Sequence, residues 1–110
     1  MGLTYKENVP DIRESPVEVM VKVLKEFGVI VYGYDPLLPD SVIQKFGATP
    51  LPALDKKVDA IIVAVAHEAF KSMNIDRIRN LMNNRPVLVD VRGMIDRITA
   101  EERGISYYRL

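Results

Sequence analysis

Apolar and polar positions divide this chain into helices and strands that alternate along its length. One amphipathic stretch has its apolar residues three and four positions apart, at Val17, Met20, Val21, Leu24 and Phe27. This spacing predicts a helix, which Ser15 and Glu18 would begin with a capping box and Gly28 would end. The β-branched and aromatic run 29–34 predicts a strand, and the Asp-Pro pair at 35–36 stops it.

The rest of the chain continues this alternation. Helices are predicted at about 40–46, as a single turn at 54–57, over 68–82 with a break near Asn74, and from Thr99 to Gly104. Strands are predicted over 49–52, 60–66, 86–91 and 105–109. Two of these strands are apolar without interruption, which is typical of strands buried on both faces of a parallel sheet. The order of elements therefore predicts one α/β domain, residues 1–110, with a mostly parallel sheet covered by helices.

Composition limits the chemistry that this chain can perform. It has no Cys, one His, and 15 basic against 15 acidic residues, so its formal net charge is zero. The missing Cys excludes disulfides and cysteine catalysis by this chain, and the single His disfavours a zinc site. Neutral charge disfavours nucleic acid as a partner. The longest apolar run, 60–66, is far shorter than the ~20 residues of a membrane helix, and no signal peptide is visible, so a cytoplasmic protein is predicted.

Polar residues follow several predicted strands, at the sheet edge where ligands bind in parallel α/β folds. They are Asp35, His67 with Glu68, and Asp90 with Arg92 and Gly93. If the polar opening segment follows a first strand, it adds Lys6 and Arg13 to the same edge. These cationic groups together would suit a phosphate or another anion, because Arg offers a planar fork of donors and Lys a point charge.

Each of these residues also has an ordinary structural interpretation, and the sequence leaves both open. Lys6 and Arg13 are equally well explained as solvated loop charges, and Arg92 as half of a surface ion pair, which contributes little to stability. Asp35 precedes a proline and favours a turn. His67 favours capping or packing at a strand-to-helix junction over acid–base catalysis. No G-x-G-x-x-G turn follows a strand, so the dinucleotide-binding fingerprint is absent.

Five short motifs carry a resemblance to a known family. They are Gly-Leu-Thr-Tyr-Lys at 2–6, Asp-Ile-Arg-Glu-Ser-Pro at 11–16, Tyr-Asp-Pro at 34–36, His-x-x-Phe at 67–70 and Asp-x-Arg at 90–92. Together they resemble the C-terminal, UDP-binding domain of the UDP-glucose/GDP-mannose dehydrogenase family. The resemblance implies a three-layer Rossmann-like fold. It also implies an NAD-dependent parent enzyme that oxidises C6 of a nucleotide sugar from alcohol to carboxylate.

Carried over by motif, the resemblance gives roles to four residues of this chain. The backbone of Tyr5 and the side chains of Lys6 and Arg92 would contact the UDP-sugar, and Arg13 would reach NAD. None of these roles is catalytic. The resemblance implies that a Cys in another domain performs the chemistry and that a separate Rossmann domain holds most of the NAD. It implies no metal.

The resulting hypothesis describes residues 1–110 as the nucleotide-sugar-binding domain of a larger dehydrogenase, whose N-terminal and central domains would be its partners in a homo-oligomer. Tyr5, Glu7-Asn8-Val9 and the His67 junction favour UDP-N-acetylmannosamine as the substrate, and UDP-glucose stays open. One alternative is a standalone nucleotide-binding or regulatory module without enzymatic activity. Another is a remnant that folds without binding anything.

The opening segment also leads to a structural prediction. In the family, this run leaves the first strand of the domain, and the resemblance places that strand centrally in the sheet. At most residues 2–5 remain for it here, as if the chain were cut one strand too late. We therefore predict a truncated first strand, seen either as a short, irregular element or as a gap that another chain fills. Unpaired strand edges at such a gap favour association.

Overall fold

The computed structural model describes residues 1–4, 7–10, 12 and 15–110. In this part of the chain the helices are α1 (Val17–Glu26), α2 (Asp40–Lys45), α3 (Glu68–Lys71), α4 (Ile75–Asn80) and α5 (Arg97–Glu102). The strands are β1 (Tyr32–Gly33), β2 (Thr49–Pro50), β3 (Val58–Val63), β4 (Met82–Asp90) and β5 (Ser106–Arg109). All the paired strands in this part of the chain are parallel. The predicted α/β class with a parallel arrangement is confirmed.

The strands form two sheets, one of β1 with β2 and one in the order β3-β4-β5. Residues 1–3 lie between them. The Met1 amine donates to the Ile62 carbonyl at 2.7 Å and the Ala64 amide donates to the Met1 carbonyl at 2.9 Å, while on the other side the Gly2 amide donates to the Tyr34 carbonyl at 2.9 Å. The predicted short, irregular first element is therefore confirmed.

Gly2 is required where the chain passes between the sheets. Its φ is +84°, a conformation that L side chains rarely adopt. A Cβ at this position would lie 2.8 Å from the Val65 Cβ, closer than two carbon atoms pack. The glycine therefore lets the opening segment lie directly against the end of β3.

Two apolar clusters form the core. The first joins α1 and α2 to the chain between the sheets, through Leu3, Val17, Val21, Ile43, Phe46, Ala48, Ala64 and Val65. The second packs α4 and α5 on one face of the three-stranded sheet, through Ile61, Val63, Ile78, Met82, Leu88, Ala100, Ile105 and Tyr107. Burial on both faces, predicted for run 60–66, holds from Val63 onward, whereas Ala60 is exposed. In the described chain, the helices packed on this sheet cover the face opposite Ala60.

The structure tests three further predictions about helices. The break near Asn74 is confirmed, because its side chain accepts from the Asp76 amide at 2.7 Å and begins α4. Helix α5 begins earlier than predicted, since Asp96, not Thr99, is the cap and accepts from the Thr99 amide at 2.9 Å. The helical turn predicted at 54–57 is wrong, because these residues form bends and irregular backbone instead.

The N-terminal cap of α1 also differs from the prediction. Pro16 occupies the capping position, and its side chain offers no acceptor. Ser15 instead uses its hydroxyl twice, donating to the Leu3 carbonyl at 2.7 Å and accepting from the Val17 amide at 3.3 Å. The first of these bonds joins the two ends of the opening loop, residues 4–14, at its base.

Candidate functional site

Asp35 and His67 meet in the interior, where the chain leaves β1 and β3. Their exposed fractions are 3% and 1%, and His67 Nε2 lies 3.0 Å from Asp35 Oδ2. The carboxylate also accepts from two backbone amides, from Leu3 at 2.8 Å and from Leu37 at 2.9 Å. Three donors thus form hydrogen bonds to the Asp35 carboxylate, which offsets the cost of burying this polar group. Asp35 thereby fixes both the turn after β1 and the start of the opening loop.

The hydrogen bonds of His67 fix its tautomer. Nδ1 accepts from the Asn8 amide at 2.8 Å, so it carries no proton. Nε2 therefore carries the ring proton and donates to Asp35, with the Thr4 hydroxyl 3.3 Å away. The ring also packs against Phe70, with their centroids 5.4 Å apart. His67 is a neutral bridge between the Asp35 turn and the opening loop.

Asn8 fastens the opening loop to the helix that follows His67. Its side-chain oxygen accepts from the Glu68 amide at 2.8 Å, at the first residue of α3. Its backbone has φ +61°, a left-handed conformation that Asn tolerates better than most residues. In this conformation Asn8 contacts His67 through its amide and Glu68 through its side chain. The middle of the loop is therefore held at the carboxyl end of the three-stranded sheet.

Asp90 organises the neighbouring turn, at the end of β4. Its fully buried carboxylate accepts from the Met94 amide at 3.0 Å, the Ile95 amide at 2.7 Å and the Tyr107 hydroxyl at 2.6 Å. Burial first, and then the hydrogen bond to Asp90, raises the pKa of Tyr107 to about 12. The hydroxyl therefore stays a donor across the physiological pH range. These buried hydrogen bonds fix the turn after β4, and this turn places Arg92 at the surface.

Arg92 and the opening loop meet at this edge of the sheet. Arg92 Nε lies 3.5 Å from Glu7 Oε1, and the two side chains are 44% and 37% exposed. An ion pair this exposed contributes little to stability. Its value here is positional, because it places a guanidinium beside the loop that Asn8 and His67 hold. The end of β4 and the opening loop therefore form one surface, which we call the Arg92 edge: residues 7–8 and 91–93.

Comparison with known proteins identifies the family. Residues 1–97 match the UDP-glucose/GDP-mannose dehydrogenase family, UDP binding domain. The chain belongs to this family. It is 38% identical over 98 residues to a UDP-N-acetyl-D-glucosamine 6-dehydrogenase of Pseudomonas aeruginosa, covering 87% of this chain and 23% of that protein.

Two further relatives carry other substrate names. A UDP-glucose 6-dehydrogenase of Rickettsia conorii is 32% identical, over 98% of this chain and 26% of its own length. A UDP-N-acetyl-D-mannosamine dehydrogenase of Methanocaldococcus jannaschii is 32% identical, over 99% and 25%. The chain thus spans about a quarter of the length of the relatives it matches. No helix in the described ranges is long and apolar enough to cross a membrane.

The structure separates the residues that the sequence had placed on one anion-binding edge. Arg92 lies on that edge, beside Glu7. His67 and Asp35 do not, because both are buried and their polar atoms bind each other and the backbone. The turn interpretation of Asp35 and the packing interpretation of His67 are therefore correct. Tyr5, Lys6 and Arg13, the other predicted ligand residues, lie outside the described residues.

Glu7 and Asn8 contribute to the site and were not predicted as site residues. The only sequence signal was the Asn in a polar, turn-rich run, since Asn is enriched at positive φ. Their contacts reach across 85 and 59 residues of sequence, to Arg92 and His67. Contacts at such separations leave no local pattern.

The described residues lack the features of a dinucleotide-binding turn. A dinucleotide-binding turn needs closely spaced glycines between a strand and a helix, with an acidic residue left for the ribose. The chain has no such turn, and the carboxylate of Asp35, which follows β1, is already bonded to His67 and to two backbone amides. Asp35, the acidic residue that follows β1, is therefore not left for a ribose.

Proposed function

We propose that this chain is the UDP-sugar-binding domain of a cytoplasmic, NAD-dependent UDP-sugar 6-dehydrogenase, which oxidises the C6 alcohol to a carboxylate. Family membership supports the UDP part of this proposal. The observation that carries it is the Arg92 edge, where an exposed guanidinium lies 3.5 Å from the carboxylate of the opening loop. Because the chain has no Cys, the proposal assigns catalysis to other domains.

Charge complementarity supports the proposed residue roles. Arg92 would bind a phosphate oxygen of UDP, because a guanidinium presents donors in a planar fork that matches phosphate geometry. Lys6 directly precedes Glu7 in the sequence and would add a second cation to the same diphosphate. The backbone of Tyr5 would line the nucleotide site, and Arg13 would reach NAD held by a neighbouring domain. The incoming phosphate would replace the Glu7 carboxylate beside the Arg92 guanidinium.

The proposed substrate is UDP-N-acetylmannosamine or UDP-glucose. Relatives named for UDP-N-acetyl-D-glucosamine, UDP-glucose and UDP-N-acetyl-D-mannosamine match this chain at 38%, 32% and 32% identity. The nucleotide common to these three names is UDP. This domain would therefore recognise the nucleotide, while the sugar would be distinguished mainly elsewhere in the enzyme.

A calorimetric titration of the 110-residue chain with UDP tests the binding proposal. We expect saturable binding, weakened at least tenfold, or about 1.4 kcal/mol, when Lys6→Ala and Arg92→Ala are combined. Arg85→Ala is the matched control, since Arg85 is an exposed arginine near the start of the same strand, β4. The site assignment is wrong if the double variant binds UDP as tightly as the control does.

The standalone-module alternative shares this UDP binding but needs no further domain. The dehydrogenase proposal also requires a Cys-containing, NAD-binding body in the same polypeptide or complex. Sequencing of the open reading frame around this segment, with a test for NAD reduction by its product, distinguishes the two. Suppose that the encoded protein keeps the opening loop and the Arg92 edge but reduces no NAD with any UDP-sugar. That result would favour the standalone module.

A further inference from the structure

His67 contacts the opening loop on both sides of the proposed ligand residues. Its Nδ1 accepts from the Asn8 amide at 2.8 Å, and its Nε2 lies 3.3 Å from the Thr4 hydroxyl. In the sequence, Thr4 and Asn8 flank residues 5–7, where two of the proposed UDP contacts lie. One buried side chain therefore contacts the loop immediately before and immediately after this stretch.

The two ring nitrogens of His67 hold different segments of the chain. Nε2 donates to Asp35 in the turn after β1 at 3.0 Å, whereas Nδ1 accepts from Asn8 in the loop. Phe70 packs against the ring, with the centroids 5.4 Å apart. A half-turn of the ring would put carbon atoms in the places of both nitrogens. The bonds to the turn and to the loop therefore require the same ring orientation.

Protonation of the ring would act on these two bonds in opposite directions. The second proton of an imidazole would enter at Nδ1, which would then be a donor. Two donors would face each other, and the bond from the Asn8 amide would be lost. The bond from Nε2 to Asp35 would gain strength, because it would join two opposite charges. The neutral ring thus holds both segments, and the charged ring would hold the turn alone.

The charges around His67 make its own protonation the event that acts directly on the loop. Among the described residues, Asp35 is the carboxylate that faces the ring. The other charged groups of the flanking segments form pairs at the surface or act on Asp35: Glu7 with Arg92, Glu68 with Lys71, and the Met1 amine. Histidine is also the side chain whose ordinary charge change falls closest to neutral pH.

We propose that His67 is a positioning residue of the nucleotide site: its neutral ring holds the opening loop at the Arg92 edge, and its protonated ring releases the loop. The proposal rests on the proposed function, because the loop held in this way carries Lys6. A loop that occupies its binding position for about one tenth of the time lowers the apparent affinity about tenfold. Affinity for a UDP-sugar is therefore complete while the ring is neutral and falls as the pH falls through its protonation.

Two substitutions separate the roles of the two nitrogens. His67→Asn keeps an oxygen near the place of Nδ1, where it can accept from Asn8, but loses the donor to Asp35. His67→Gln keeps an amide donor near the place of Nε2 but loses the acceptor for Asn8. Because each variant loses a buried hydrogen bond, each is the other's control for a general loss of stability. In calorimetric titrations with UDP-glucose at pH 8, His67→Gln should bind at least tenfold more weakly than the unmodified chain, and His67→Asn less than threefold.

A pH series on the unmodified chain tests the same role without a substitution. UDP-glucose is the probe because its diphosphate has no terminal phosphate, whose second pKa would lie near 6. His67 is the only histidine of the chain, so its ring nitrogens give an unambiguous NMR signal. While this signal reports protonation, the affinity should fall at least fivefold and the Asn8 amide should exchange faster. His67→Asn, which keeps the Met1 amine, should show no such fall.

The outcomes distinguish this role from the binding proposal itself. Equal affinities of His67→Gln and His67→Asn for UDP-glucose would overturn the role of His67. An affinity that stays constant while the ring takes up its proton would overturn it as well. Absence of binding by the unmodified chain at pH 8 would overturn the proposed function, and the role of His67 with it.

Discussion

Replacing Asp35 with Asn tests whether the buried bridge holds the opening loop. The carboxylate accepts three hydrogen bonds: Oδ2 from His67 and the Leu3 amide, and Oδ1 from the Leu37 amide. An amide has one oxygen, so its nitrogen must face at least one of these donors. If the oxygen takes the Oδ2 place, Leu37 loses its acceptor, and if it takes the Oδ1 place, Leu3 and His67 lose theirs.

His67 cannot compensate by moving its proton. With the proton on Nδ1, Nε2 could accept from the new amide, but the Asn8 amide would then face an N–H instead of a lone pair. Each unsatisfied buried donor costs about 1–3 kcal/mol, and hydrogen bonds to a charged group are worth about 1.5–3 kcal/mol each. We therefore expect Asp35→Asn to lower the free energy of unfolding by about 2–4 kcal/mol.

Urea unfolding followed by circular dichroism measures this loss, and amide exchange at Asn8 shows whether the loop is released. Asp59→Asn is the matched control, because Asp59 is an exposed aspartate of β3 whose carboxylate accepts from the Asn83 side chain at 2.8 Å. It should change stability by less than about 0.5 kcal/mol. Unfolding of the two variants at the same urea concentration, or unchanged amide exchange at Asn8 in Asp35→Asn, would refute this role of Asp35.

Three further predictions concern other parts of the chain. Gly2→Ala should cost at least about 1 kcal/mol more than Gly104→Ala, because both have positive φ but only Gly2 meets neighbouring atoms; equal losses in urea would contradict this. Tyr107→Phe should cost about 1–3 kcal/mol through its buried hydroxyl, and the exposed Tyr108→Phe almost nothing. Burial lowers the pKa of the Met1 amine to about 6, so the unfolded chain binds more protons and stability rises from pH 6 to 8. Acetylation of that amine should remove this rise, at most about 3 kcal/mol; identical pH profiles would refute the assignment.

Local patterns in the sequence predicted most of the fold. The positive-φ glycines at 28, 47 and 104 ended helices as expected, and Asn74 divided the long helical region. The start of α5 was missed because Asp96 and Thr99 are both good caps, and the choice between them depends on which side chain accepts the bond. Exposure of Ala60 was also missed, since an apolar run shows that a strand can be buried and not which helices are present to cover it.

The candidate site was less predictable than the fold. Arg92 was identified from its place after a strand, and the structure puts it on an exposed edge. Asp35 and His67 were placed at the correct strand ends, but no local pattern indicates that they bond to each other across 32 residues. Polarity at a strand end does not distinguish a ligand contact from a buried bridge, because both need the same residue types.

UDP binding at the Arg92 edge is tested most directly by the amide NMR spectrum of the 110-residue chain during titration with UDP. We expect saturable shifts concentrated on the Arg92 edge, at Glu7, Asn8 and Arg92, with Arg85 near the start of β4 unaffected. Shifts centred on another surface, such as α5 and β5, or no saturable shift with millimolar UDP, would contradict it.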